Sequence, residues 1–208
     1  MLFRSNDMRN KKYSYPIDIK ILDEMEAAVR SMNTSQDEII VEVNKNNKEI
    51  GYAIKRELHS DNKRFHRAAH MMVFTSKGDV ILHQRSFTKT SGAGLWDMFG
   101  GHQVYGHTIE QTAKQELIEE LGIETNLTFV RTGLFQNEKQ SEFYYLYYGI
   151  HDGPYGYDRN EVEQIKVFDS DKLLNGDYDD EYEFVEPFTK MYIKELKPIW
   201  EKLKQNKK

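Results

Sequence analysis

Gly101–Ile123 reads GHQVYGHTIEQTAKQELIEELGI, and the reading of the whole chain turns on it. Glu116, Glu119 and Glu120 are spaced three and four apart within it. Residues so spaced are neighbours on a helix surface. The helix has local support. Thr108 followed by Gln111 makes a T-x-x-Q capping box. Ala113, Leu117 and Leu121 recur every fourth residue and predict an inward face, and Gly122 suits the left-handed position that ends a helix. The three carboxylates then share a different face and repel one another. At an effective dielectric of about 20, two such charges about 4 Å apart cost about 4 kcal/mol. A hard divalent cation, Mg2+ or Mn2+, relieves that repulsion because such ions take carboxylate oxygens. A diphosphate is the natural substrate, since the same ion bridges its oxygens. An E-x-x-E-E run taken alone is more often a solvated acidic face; the surrounding pattern decides.

That pattern resembles the Nudix box, G-x5-E-x7-R-E-U-x-E-E-x-G-U with U aliphatic. Gly101, Glu116, Leu117, Glu119, Glu120, Gly122 and Ile123 all fall in register. Two positions depart from it: His107 replaces the first Glu and Gln115 replaces the Arg. A neutral His107–Gln115 hydrogen bond is expected in place of the family's ion pair. The flanking sequence resembles the branch similar to isopentenyl-diphosphate isomerase, in FHRAAHMMVF (Phe65–Phe74) and HQRSFTKTSGAGLWDMFGGH (His83–His102). The resemblance spans roughly residues 38 to 175.

The resemblance implies an α+β fold, a Nudix-type α/β/α sandwich with a mixed β-sheet. N-terminal and C-terminal helices are added to it. It implies residues 1–37 as a helical extension and 38–208 as the catalytic domain. Glu116, Glu119 and Glu120 match the metal ligands, with Glu119 and Glu120 also counted as catalytic. Arg85 and Lys89 match residues that contact the substrate diphosphate, an Arg suiting bidentate phosphate binding and a Lys acting as a point charge. Gly101 lets the backbone approach the metal–phosphate group. Glu161 matches a late glutamate that orients or deprotonates the attacking water, with Glu163 as the alternative. His66 and His102 match two histidine metal ligands of the isomerases, although an isolated His is more often a structural residue. Gly100 stands where the isomerases carry a catalytic Cys, and the chain has no cysteine at all. Isomerisation needs a proton donor and acceptor on opposite faces of the alkene, so the loss of that thiol argues for hydrolysis. The rival readings are an isomerase using another proton donor, and a non-catalytic module that binds a diphosphate ligand.

Composition sets outer bounds. With 208 residues, 38% hydrophobic and 30% charged, the chain predicts one domain with a substantial core. A net charge of −5 gives no basic footprint for nucleic acid, and no run approaches the ~20 apolar residues of a membrane span. The N-terminus lacks the apolar segment of a signal peptide, and the absence of cysteine fits a reducing compartment; the expectation is a cytoplasmic enzyme.

Periodicity predicts the remaining elements. Asp18–Met32 reads as a helix that packs on the domain or forms a homodimer contact. Strands are expected at Glu38–Val43, Ile50–Leu58, Ala68–Thr75, Val80–Arg85, Leu127–Glu138, Phe143–Ile150 and Glu163–Phe168, with a hairpin turn at Ser76–Asp79. Ser170 is expected to cap a short helix, Pro187 to open a C-terminal one, and Pro198 to break or kink it. Trp96 is expected in the core. The run Phe143–Ile150 should give one aromatic face to the core, with the other open to a nucleobase.

Overall fold

The computed structural model describes residues 19–32, 38–89, 91–179, 182–186, 188 and 192–205. The chain forms two compact units, each assembled from separated segments. Among the described residues, the first takes those within 19–69, 102–112 and 132–144; the second takes those within 70–101, 113–131 and 145–205. The expected start of the C-terminal helix at Pro187, and most of residues 1–37, lie outside the described residues.

In the first unit, helix α1 (Ile19–Met32) packs against strand β1 (Ile39–Val43). Leu22 of α1 is buried and Ile21 half-exposed, so the helix meets the unit on one side. Strand β2 (Glu49–Ile54) pairs antiparallel with β1, from Ile39↔Ile54 to Val43↔Glu49. The turn between them is set by Asn44, whose side chain accepts from the amides of Asn46 and Lys48, and by Asn47 at φ 59°. The run expected as one strand to Leu58 changes state: Lys55–Leu58 is a single helical turn, α2. That turn drives Leu58 inward against Ile40 and Ala53, with Val104 packed alongside. Strand β3 (Phe65–Phe74) begins here, with His66 opposite Glu42.

In the second unit, β3 continues into the predicted hairpin. Gly78 at φ 88° closes the turn onto Thr75, and β4 (Val80–Arg85) returns antiparallel with Val73 opposite Ile81. Strand β9 (Val162–Phe168) lies on the other edge of β4, from Val80↔Phe168 to Gln84↔Gln164. A bulge after Gln84 brings Arg85 opposite Val162, so Glu163 faces no β4 partner. The two-residue β5 (Trp96–Asp97) pairs with β4 as Gln84↔Trp96 and His83↔Asp97. Trp96 is buried and makes edge contacts with Phe168 and Tyr182. It also forms a parallel bridge with Phe184, so the sheet is mixed.

Strand β6 (Phe99–His102) leads toward helix α3 (Ile109–Leu121). The capping box forms as the sequence predicts: Gln111 N donates to Thr108 Oγ1 at 3.2 Å, and Thr108 N to Gln111 Oε1 at 2.9 Å. Ala113, Leu117 and Leu121 are fully or almost fully buried. Gly122 at φ 67° ends the helix, and the Gly156 amide caps the Leu121 carbonyl at 3.0 Å. Strands β7 (Thr128–Gln136) and β8 (Ser141–Ile150) follow.

Helix α4 (Ser170–Asn175) is capped by Asp169, not by Ser170. The Asp169 carboxylate accepts from the amides of Asp171 and Lys172, while Ser170 Oγ donates to the Gly78 carbonyl at 2.8 Å. Helix α5 (Ile193–Gln205) runs through Pro198 without ending there. Lys194, whose carbonyl loses the bond that the proline cannot donate, is exposed, so water can satisfy it. Leu196, Ile199 and Leu203 form the buried face of α5.

Candidate active site

The centre of the acidic site is the junction of β6 and α3 in the second unit. Gly100 N donates to Glu120 Oε2 at 3.0 Å. Glu120 is only 7% exposed. Burial pushes its carboxyl up to about 7; the Gly100 amide opposes this, as do Arg85 and Lys89, while Asp97 adds to it. Glu116 lies one turn earlier on the same face. Its carboxylate occupies the space a side chain at Gly101 would need, because a Cβ there would fall 1.9 Å from Glu116 Oε1. Glycine at 101 is therefore what admits the acid. Glu119 takes a different path: it is exposed and accepts from Gln115 Nε2 at 2.6 Å. The partner expected for Gln115 was His107. Instead the His107 carbonyl accepts from Gln103 Nε2 at 2.7 Å, and Gln103 is in turn reached by Arg67 at 3.3 Å. The Gln103 side chain, itself held by the Arg67 guanidinium, thus ties down the loop before α3.

Alternation along β4 sorts chemistry onto two sides. His83 and Arg85 share the side of Asp97, with Arg85 Nη1 3.9 Å from Asp97 Oδ2. Gln84 takes the other side, where it lines a cavity of about 310 Å³ with Trp96, Gln164, Lys166 and Tyr182. That cavity's polar groups are already engaged: Gln164 donates to Gln84, Gln84 donates to the Gly94 carbonyl, and Lys166 bonds Tyr182. Lys89 pairs with Glu161, and the Ser86 amide donates to the Glu161 carbonyl at 3.0 Å. In the second unit Glu116 thus lies against Gly101, Glu120 is held by the Gly100 amide within the field of Arg85 and Lys89, and Lys89 pairs with Glu161. Carboxylates next to cations and a glycine-opened strand can hold a hard divalent ion and a diphosphate together.

The first unit contains a second cluster. His59 at the C-cap of α2, His66 in β3 and His102 at the end of β6 each bring a ring nitrogen within 4.8 Å of the others. His59 Nε2 and His102 Nε2 are 3.0 Å apart, and Glu142 Oε2 lies 3.4 Å from His66 Nε2 and 4.0 Å from His102 Nε2. His66 is fully buried, yet neither ring nitrogen has a hydrogen bond; the contact with Glu142 lacks the geometry for one. A buried imidazole with two orphaned nitrogens, ringed by two more and an acid, fits a transition-metal ion. Burial, then His66 and Lys55, hold His59 down at about 4, with Glu142 opposing. Burial and Lys55 hold His102 well below its ordinary value. Neutral rings are the ligating form.

Sequence reading pointed to His66 and His102 but missed His59 and Glu142. His59 was hidden at the end of what read as one continuous strand. Glu142 had a usable signal, since it heads the inward series Glu142, Tyr144, Leu146, all buried. An acid in register with buried residues needs a partner.

The NUDIX domain model matches residues 64–188, and the chain belongs to the Nudix family. The isopentenyl-diphosphate Delta-isomerase 2 of Photorhabdus laumondii is 33% identical over 152 residues, covering 72% of this chain and 77% of that protein. The isopentenyl-diphosphate Delta-isomerase of Serratia proteamaculans is 32% identical over 123 residues, covering 56% of this chain and 68% of that protein. The crystal structure of DR0079 from Deinococcus radiodurans superposes with a TM-score of 0.64 at 18% identity, covering 76% of this chain and 99% of that one. The fold is the Nudix α/β/α sandwich. Both the Nudix and isopentenyl-diphosphate isomerase families use divalent metals. Among the described residues no helix is long and apolar enough to cross a membrane.

Proposed function

We propose that this protein is a divalent-metal-dependent hydrolase that cleaves the diphosphate linkage of a small molecule, acting in the cytoplasm. The observation that carries the reading is the seat of Glu116 and Glu120 on Gly101 and Gly100, beside Arg85 and Lys89. Glu116 and Glu120 are the residues to hold Mg2+ or Mn2+, with Glu119 contributing directly or through water. When bound, such an ion supplies Lewis acidity to the phosphoryl group and an activated water. Arg85 grips a phosphate through its fork of donors, and Lys89 adds a point charge. Glu161, released from Lys89 as that ammonium turns to phosphate, accepts a proton from the attacking water at its carboxylate. Gly100 offers no side chain to protonate an alkene, which favours hydrolysis over isomerisation.

The test is a panel of diphosphate compounds assayed with Mg2+ and Mn2+, comparing wild type with Glu120→Gln. Turnover should fall by about 100-fold or more, as expected when an interaction with the reacting charge is removed. The melting temperature should hold or rise, since the variant relieves a buried acid. Normal turnover by the variant would refute the assignment. The histidine cluster supports a second reading, an isomerase-like centre. Isopentenyl diphosphate belongs in the same panel for that reason. Formation of the allylic isomer that is lost in His66→Gln but kept in Glu120→Gln would favour it.

A further inference from the structure

Arg85 lies between two acids, and the structure commits it to one of them. Its backbone is fixed on both sides: Arg85 N donates to the Leu95 carbonyl at 2.9 Å, and the Arg85 carbonyl accepts from Gly94 N at 3.0 Å. The side chain is steered as well. Arg85 Nε donates to the Ser91 carbonyl at 3.2 Å. A Cβ at Gly92 would fall 3.2 Å from that Nε, so glycine there gives the guanidinium its room. Nη1 then faces Asp97 Oδ2 at 3.9 Å, in a pair whose side chains are 25% and 19% exposed. Asp97 is itself held. It pairs with His83 in the ladder, and its Oδ1 accepts from Met98 N at 2.8 Å, so Oδ2 is the oxygen turned to Arg85. Among the described residues Arg85 makes no ion pair with Glu120, although its charge reaches that acid and opposes the upward push of burial on the carboxyl.

Charge alone would favour the other pairing. Glu120 is the more buried of the two acids, and attraction grows as water is excluded. A guanidinium closed on Glu120 would form a charge-assisted pair. It would take the oxygens that a divalent ion needs and the donors that a phosphate needs. Asp97 offers a competing carboxylate with a weaker hold. At 3.9 Å and partly exposed, that pair is easily given up when a phosphate arrives. We infer that Asp97 is a positioning residue, which draws the Arg85 guanidinium off Glu120 and keeps the metal seat and the phosphate grip from neutralising each other. This rests on the hydrolase reading above, whose metal seat it protects.

Asp97→Asn removes the charge but keeps an oxygen for Met98 N. The quantity to read is the Mn2+ binding that Glu120→Gln abolishes, measured by calorimetry with Mn2+ alone. Asp97→Asn should weaken it about tenfold, because Arg85 then competes for Glu120. The melting temperature should stay near that of wild type, since a long, partly exposed pair contributes little. In an Arg85→Gln background the same Asp97→Asn change should have no effect, because no guanidinium is left to restrain. Mn2+ binding by Asp97→Asn as tight as wild type would overturn the inference. So would a tenfold loss that persists beside Arg85→Gln, which would make Asp97 a plain source of negative charge. Should Asp97→Asn fail to fold, Asp97→Ser repeats both comparisons. The diphosphate panel keeps this apart from the hydrolase reading. If Mn2+ binding follows the expected pattern and no diphosphate is hydrolysed in any metal, the role of Asp97 stands and the hydrolase reading falls. If Glu120→Gln loses turnover while Asp97→Asn binds Mn2+ like wild type, the reverse holds. If wild type shows no Mn2+ binding that depends on Glu120, both fall.

Discussion

Gly101 and Glu116 share one volume of space, and that single exclusion ties sequence to chemistry. The atom a Cβ would strike is the tip of a flexible side chain. In Gly101→Ala the Glu116 carboxylate can swing away at little energetic cost. Stability should change by less than about 0.5 kcal/mol, as for a surface substitution. Turnover should fall about 100-fold, the size expected when a catalytic group moves by an ångström or so. A urea melt beside a steady-state assay separates the two, and a variant that melts early but turns over normally would contradict the placement of Glu116. A glycine at 101 was legible because the motif names it, but its observed role, leaving room for the Glu116 carboxylate, was not. Nor was the divergence of Glu119 from its neighbours. Three acids at helical spacing look equivalent in sequence, and only the Gln115 amide next to Glu119 and the Gly100 amide next to Glu120 distinguish them.

Elements with strong local signals were the readable ones. The capping box, the four-residue repeat and the glycine stop fixed α3 to within a residue, because each is a contact between near neighbours in the chain. α2 went unseen because one helical turn is too short to show a period. At α4, Asp169 and Ser170 are adjacent and both are good caps. The choice is settled by the distant Gly78 carbonyl, which claims the serine. The helix stop also provides a test. A Cβ at Gly122 would fall 2.2 Å from the Gly156 carbonyl oxygen, which is backbone and cannot swing aside, at a φ of 67°. Gly122→Ala should therefore cost upwards of about 1 kcal/mol, more than the conformational strain alone. Denaturant midpoints check this, and an unshifted midpoint would mean the helix end is not held as described.

At the scale of the whole molecule, stability should depend on pH through a buried base. His83 is 1% exposed, its Nδ1 has no hydrogen bond, and burial, then Arg85 and Lys89, push it down to about 3. Its folded value lies below the unfolded one, about 6.5. Above pH 6.5 neither state is protonated there and the contribution is complete. As pH falls from 6.5 toward 3 the unfolded chain takes a proton that the folded chain refuses, so stability drains away, by at most about 1.4 kcal/mol per pH unit. In metal-free buffer the melting temperature should fall between pH 7 and pH 5, and more gently in His83→Gln. Equal slopes would rule His83 out as the source. The family and its architecture were evident from the box and its flanks, which fall within the matched residues 64–188. The histidine cluster was only half evident, since its four members come from the C-cap of α2 and from β3, β6 and β8 and meet through tertiary structure alone.

The two-sidedness of β4 limits how this gene can change length. Sliding the strand by one residue against β9 would send the Arg85 guanidinium to the side now held by Gln84 and bring an amide to the acids. A codon gained or lost between Val80 and Arg85 therefore inverts the strand's charge pattern at a stroke. The turn at Ser76–Asp79 can absorb an extra residue with no such inversion, so indels are tolerable at one end of this hairpin and ruinous a few residues later.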